Sequence, residues 1–273
     1  MKEVMEDHEL FAALCRSTYF KQALETHPVI TRLRSNVFNP GGGIAPLPIC
    51  IDLDGIAQHY GLPTQYLDIT SNFSVASFFA TQRWDNKAKK FEPMRMNPIP
   101  GVIYQLLPDI LIAKQGDGKI PYTPVGWQPF PRPEQQRANA IHLGAGEDFV
   151  KTLPVASFRF KHSRNQSKRI YEEFEGGDKL FPADDLADFA ESVQSKTTFP
   201  QRTLEVAFKL YEKRRKPQDT AEKRESLMSR AGITLDRQKS CVTQQWDFCQ
   251  KKFDAEIQRM LGRVRFRGAC YAQ

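Results

Sequence analysis

Residues able to do chemistry gather in two places. In Gln58-His59-Tyr60-Gly61-Leu62-Pro63-Thr64 an imidazole and a phenol stand directly before a stiff Gly-Leu-Pro turn. Two readings are open for His59 and Tyr60. They are polar groups offered to a ligand, or they are rings packed at a helix C-terminus that Gly61 caps. The second place is basic: Lys213-Arg214-Arg215-Lys216, then Lys223-Arg224, then Arg263, Arg265 and Arg267. Such side chains suit phosphate contacts. Tyr211, Trp246, Phe266 and Tyr271 lie nearby, as single-strand stacking requires. A solvated helical face and the docking of an acidic protein remain as alternatives.

Other chemistries lack their signatures. Gly41-Gly42-Gly43 precedes no Lys-Ser/Thr pair, so it reads as a turn and not a phosphate loop. The five histidines show no metal spacing, and no metal is expected. Cys15, Cys50, Cys241, Cys249 and Cys270 form no CxxC pair, which disfavours zinc and disulfide frameworks. Cys241 and Cys249, eight apart on an expected helix, read as core.

The elements that must position these groups follow from periodicity and punctuation. Helices are expected over 7–26, with Leu10, Phe11, Leu14 and Leu24 on one side, and from Ile51 to Tyr60, ending at Gly61. Tyr66 to Ile69 reads as a strand. Ser71 or Asn72 caps a largely buried helix from Phe73 to Arg83. Strands are expected from Gly101 to Leu107, Ala140 to Leu143 and Val155 to Lys161, and residues 114–133 read as a long Pro/Gly loop. Helices follow over Ser167–Phe174, Pro182–Val193 and Arg202–Lys216. The Asp219–Glu222 spacing is that of a capping box opening a helix that Gly232 stops. Val242, Trp246, Cys249, Phe253, Ile257 and Met260 suggest a long helix from Asp236 to Leu261. The alternation of Arg263 to Arg267 reads as a strand or a basic tail.

Three segments carry a resemblance. Gln58-His59-Tyr60-Gly61-Leu62-Pro63-Thr64, followed by Tyr66-Leu67-Asp68 and by Ser77-Phe78-Phe79-Ala80, resembles the FRG-domain signature QHYGLPT, LLDWT and a helix ending in YFA or FFA. Arg132-Pro-Glu-Gln-Gln136, leading into Ala-Asn-Ala-Ile-His142, is similar to the family's Arg…Gln segment. Leu180-Phe181-Pro182-Ala-Asp-Asp-Leu186 is similar to its closing LFPDLDGL. The Phe-Arg-Gly that names the family is reduced to the Arg of Leu14-Cys15-Arg16-Ser17-Thr18, with Arg32 or Arg34 as the second arginine of that region. The literal Phe266-Arg267-Gly268 stands at the wrong end. The likeness covers about residues 14–195.

The resemblance implies an α+β fold, a split-sheet ADP-ribosyltransferase-like core, and NAD as substrate. Breaking the nicotinamide–ribose bond generates a cation-like sugar, so three tasks arise. Arg16 would hold the pyrophosphate, or else is an ordinary surface arginine. His59 and Tyr60 would fix the nicotinamide and ribose, with Thr64 and Asp68 lining the pocket; Asp68 can equally orient a backbone or an arginine. Gln136 would hold a ribose hydroxyl but cannot act as a base. Glu134, two residues away, would share its face if both lie on a strand, or is a solvated loop charge. His142 reads as packed and hydrogen-bonded. Implied activities are transfer to a macromolecule, nucleic acid among them, by a toxin of a toxin–antitoxin or phage-defence system. Alternatives are an NAD glycohydrolase and a non-catalytic nucleotide- or nucleic-acid-binding module. An antitoxin or regulatory protein would be the matching partner.

Charge separates body from extension. The 273 residues carry a net +7, with 39 Lys+Arg and 32 Asp+Glu. Residues 196–273 hold 18 basic and 9 acidic side chains, net +9, leaving net −2 for residues 1–195. A domain over 1–195 with a basic helical extension over 196–273 is expected. No apolar run approaches the ~20 residues of a membrane helix, and MKEVMEDHEL has no apolar centre, so a cytoplasmic protein is expected, without membrane partners.

Overall fold

The computed structural model describes residues 5–35, 37–38, 47–48, 51–95, 97–107, 122–126, 128–142, 148–153, 155–215, 221–246, 249, 251 and 254–255. The chain is mixed α/β with small, mostly antiparallel sheets. It divides into two compact units: residues 1–64 with 186–273, and residues 65–185.

The first unit opens with α1, Asp7–Glu25, whose start is secured by Glu9 accepting the Glu6 N–H. Phe11, Cys15, Phe20, Ala23 and Leu24 are buried on different sides of it, so α1 is a core helix. α2 is Pro28–Arg34, with proline at its first turn and His27 Nδ1 accepting the Val29 N–H. β1, Val37–Phe38, pairs antiparallel with β2, Leu47–Pro48. α3, Leu53–His59, is capped by Asp52, which accepts the Gly55 N–H.

The second unit begins with β3, Tyr66–Thr70, and α4, Phe73–Thr81. Asn72 Oδ1 caps α4 by accepting from Ser74 and Val75 N–H. β4, Gln82–Asp85, and β5, Lys90–Pro93, form a hairpin. β6 is Gly101–Leu106, β7 Tyr122–Pro124, α5 Pro131–Gln135, β8 Ala138–His142, α6 Phe149–Thr152, β9 Val155–Phe160 and α7 Arg164–Glu173. β3, β8 and β7 make an antiparallel sheet in that order, and β6 pairs antiparallel with β9. Val75, Phe78, Phe174 and Leu180 are a core under the hairpin side; Ile141 and Leu153 form another under the sheets.

α8, Asp185–Gln194, starts at the unit boundary, and β10, α9, α10 and β11 complete the first unit: Thr198–Pro200, Gln201–Arg215, Ala221–Ala231 and Thr234–Asp236. β10 and β11 are parallel. α9 packs on α1, with Phe11 stacked on Phe208 at 4.5 Å and edge-on to Tyr211 at 6.2 Å. The expected division at residue 195 therefore falls inside the first unit.

Several expectations are corrected. The fourth helix stops at Thr81, and Gln82 leaves it extended because its buried amide donates to the Ser167 carbonyl (3.1 Å). Only Val75, Phe78 and Thr81 of α4 are buried, while Phe73 and Phe79 face solvent. The expected loop over 114–133 contains β7 and the start of α5, where Pro131 occupies the first helical turn it suits. From Asp236 the chain forms a strand end and then non-helical backbone to Trp246. Val242 is buried there, and Trp246 packs on His27 (4.5 Å) and Phe189 (5.0 Å), so helical spacing served a different packing. Cys241 and Cys249 are exposed, not core. Asp219, the Gly41–Gly43 turn, Cys50, Cys270, residues 114–121 and the strand or tail over 263–267 lie outside the described residues.

Candidate functional site

The HYGL segment is a complete helix stop. Tyr60 caps α3, Gly61 takes φ +78°, Leu62 N–H donates to the Ala57 carbonyl (2.9 Å) and Gly61 N–H to that of Gln58 (3.0 Å). These are the paired bonds of a Schellman motif, and buried Leu62 and Ala57 supply its apolar contact. His59 is 6% exposed and Tyr60 1%, with the Tyr60 ring 6.5 Å from Phe20 of α1. Both side chains are therefore buried at the helix end. Gln194, at the end of α8, donates to the carbonyls of Tyr60 and Gly61 at 3.4 Å each. A Cβ on Gly61 would lie 2.7 Å from that amide nitrogen. Sequence reading missed Gln194, whose only signal was its place after a helix. Past the turn, the Thr64 hydroxyl donates to Gln58 Oε1.

Arg16 is half-buried on α1, its Nε–H donated to the Lys196 carbonyl at 3.3 Å. Beside it the Cys15 thiol is pushed up to about 12 by burial, with the Arg16 charge opposing. Lys21 of α1 holds Asp54 of α3 at 2.7 Å, so the arginine helix and the His59-Tyr60 helix are braced together.

The remaining candidates belong to the other unit. Asp68 lies exposed on β3, opposite Ala140 of β8. Gln136 caps the C-terminus of α5 and is 6% exposed; its amide donates to the Leu180 carbonyl at 3.0 Å. The Thr70 hydroxyl donates to the Gln136 carbonyl at 2.8 Å. Arg132 sits over the Phe181 ring at 5.9 Å. The Arg132–Gln136 and Leu180–Phe181 segments, far apart in sequence, therefore meet. Glu134 is corrected: it lies on helix α5, half-buried, not on a strand. Residues two apart on a helix diverge by about 200°, so the shared-face argument for Glu134 and Gln136 fails. The strand starts only at Ala138. Tyr122 and Asn139, which sequence reading passed over, join hydroxyl to carboxamide at 2.8 Å, and the Asn139 amide donates to the Arg137 carbonyl. His142 is exposed and hydrogen-bonded to Gln65 at 2.9 Å.

The basic run divides. Lys213 is exposed. Arg214 has its pKa lowered by burial, with the Asp54 charge opposing. Arg215 pairs with Asp7 at 3.1 Å and donates to the Met5 carbonyl at 2.7 Å. Arg224 pairs with Glu212 at 3.1 Å and lies over the Phe208 ring. Lys216, Arg263, Arg265 and Arg267 lie outside the described residues. Among the described residues no group of three His, Cys, Asp or Glu side chains could hold a metal ion, and no helix is long and apolar enough to cross a membrane.

A helix-stop motif, a braced arginine helix and a following strand–helix–hairpin define one continuous stretch of chain. Residues 13–89, from within α1 to the turn before β5, match the model of the FRG domain, so those residues carry an FRG domain. The match takes in Arg16, His59, Tyr60, Thr64 and Asp68 and stops before Glu134 and Gln136. No curated protein and no solved structure matches the chain.

Proposed function

We propose that this chain is an NAD-dependent ADP-ribosyltransferase of FRG type, with a split-sheet core of that superfamily. It acts as the toxin of a toxin–antitoxin or phage-defence system on a macromolecule such as RNA or DNA. The observation that carries the reading is the FRG domain over residues 13–89, with its undegraded HYGLPT turn. In the reaction the bond from C1′ of the ribose to the nicotinamide nitrogen breaks, and nicotinamide leaves with the electron pair. The acceptor bonds to C1′ and gives up a proton. Arg16 would pair a phosphate through its terminal nitrogens, since Nε is committed to Lys196. Buried His59 and Tyr60 would set the turn that presents Thr64, without meeting the sugar themselves. Gln136 would accept a ribose hydroxyl, and the acceptor's proton would pass to water.

The test is incubation of the purified chain with labelled NAD and, separately, RNA, DNA and a protein extract. Nicotinamide release with label on one acceptor is expected, lost in Arg16→Gln and Gln136→Ala variants that keep native circular dichroism. Intact NAD in every mixture would sink the proposal. Release with all ADP-ribose left free would indicate a glycohydrolase.

A second reading has its own support. His59 and Tyr60 are interior groups, and the Gln136 amide is tied to a backbone carbonyl. These are the marks of a binding module in which the motif is architecture. It would bind nucleotide or nucleic acid and leave NAD unconsumed.

A further inference from the structure

We propose that the β4–β5 hairpin and the aromatic edge beside it form a platform for single-stranded nucleic acid. The proposal stands independently of NAD chemistry. Its first support is a row of rings. Trp84 and Phe91 are register partners across the hairpin, their ring centroids 4.9 Å apart. Phe91 stacks on Phe181 at 5.3 Å with 28° between planes. The Arg132 guanidinium lies over Phe181, extending the row with a planar cation. Phe79 flanks the row, 6.4 Å from Phe91 and 6.1 Å from Phe181.

The row is anchored through half-buried Phe91 and Phe181, which pack on the core, and open at Trp84 and Phe79. Phe78, fully buried, touches both Phe91 (5.0 Å) and Phe79 (5.7 Å), which holds those rings in place. Trp84 and Phe79 nevertheless remain 47% and 45% exposed. Burial alone accounts for Phe78 and not for these two. Bases offer π-faces of the size such rings accept, whatever the sequence.

The second support is charge. Arg83, Lys87, Lys89 and Lys90 are all exposed on the hairpin. Its two carboxylates have other engagements. Asp85 accepts the N–H groups of Lys87 (2.8 Å) and Ala88 (3.0 Å), and Glu92 pairs with Arg83 at 3.1 Å. Lys87 and Lys89, in the turn, stand at the end of the aromatic row, where a phosphate backbone running past stacked bases would meet them, whereas Arg83 and Lys90 alternate with Trp84 and Phe91 and so lie on the other face of the hairpin. A lipid surface fits less well, because the turn between the strands, Asn86 to Lys89, is polar and would not enter hydrocarbon. An acidic protein would use the lysines but has no need of a row of rings.

The test titrates the full chain into fluorescein-labelled oligouridylate and oligothymidylate longer than the about 4–16 nucleotides of single-strand sites. Anisotropy is followed between about 50 mM and about 200 mM salt. Saturable binding with quenching of Trp84 emission is expected. Trp84→Ala should weaken it about tenfold or more, while Trp84→Phe stays close to wild type. Lys87→Gln with Lys89→Gln should flatten the log affinity–log salt slope by about 0.7 per lysine. Circular dichroism confirms the fold of each variant. Absence of binding at low salt, binding indifferent to both the Trp84 and the lysine changes, or stronger binding to polyglutamate or phosphatidylserine vesicles would each overturn the proposal.

Discussion

Gly61 shows how one residue serves both helix stop and contact. Its φ of +78° and the 2.7 Å approach of Gln194 to a would-be Cβ oppose any side chain. Gly61→Ala is expected to cost about 1–2 kcal/mol from the left-handed backbone alone, read from the urea midpoint. A midpoint equal to wild type would show that the turn relaxes freely. Cys15 makes a second residue-scale case. With its pKa raised to about 12 by burial, it holds almost no thiolate at pH 8, whereas Cys241 and Cys249 are exposed. Alkylation of the native chain followed by peptide mapping should mark those two and spare Cys15; early labelling of Cys15 would contradict its burial. The helix-ending role of Gly61 was legible in the sequence because a glycine followed an apolar period. The interior positions of His59 and Tyr60 were only one of two open readings, since burial depends on Phe20 and on packing that no local pattern encodes.

At the scale of elements, caps were more legible than ends. Asn72 was one of two caps anticipated for α4, and its carboxamide accepts two N–H groups of the first turn. Asn72→Ala should lower stability by about 1 kcal/mol in denaturant titration, and Asn72→Ser by much less. Equal effects would mean the side chain is not the cap. The far end of α4 was misjudged because Gln82 and Arg83 carry no breaker. What ends it is tertiary, a buried amide reaching the Ser167 carbonyl. The hairpin that follows was invisible for the same reason, as its strands pair through Trp84 and Phe91 without a period-2 stripe. Conversely, Val242 and Trp246 matched a helical period yet settle individually into unit-one packing, because spacing alone does not distinguish a helix from separate anchors.

For the whole molecule, the charge map changes meaning. A net +9 over residues 196–273 suggested a basic helical extension. Yet Arg215 is spent on Asp7 and Met5, Arg214 lies half-buried, and α9 covers Phe11 of α1. Part of that charge therefore answers the acidic start of the chain. A truncation ending at residue 195 should consequently fail to fold its first unit. Loss of cooperative unfolding and binding of a hydrophobic dye are the expected readouts, and a sharp native-like transition would contradict them. That helices and small strands mix along the chain was readable from local periodicity. The discontinuous first unit was not, because contacts between residues about 180 positions apart leave no trace in local pattern.

That discontinuity has a consequence in time. Gln22 of α1 accepts from the Thr203 hydroxyl across 181 positions of chain. At about 5–20 residues per second of synthesis, the α1 half of this contact waits roughly 10–40 s for its other half to leave the ribosome. During that interval Phe11 and its apolar neighbours lack the helix that covers them, while residues 65–185 are synthesised and completed before α9 appears. Synthesis order thus lets the inserted unit close before the unit that holds α1 has all of its parts.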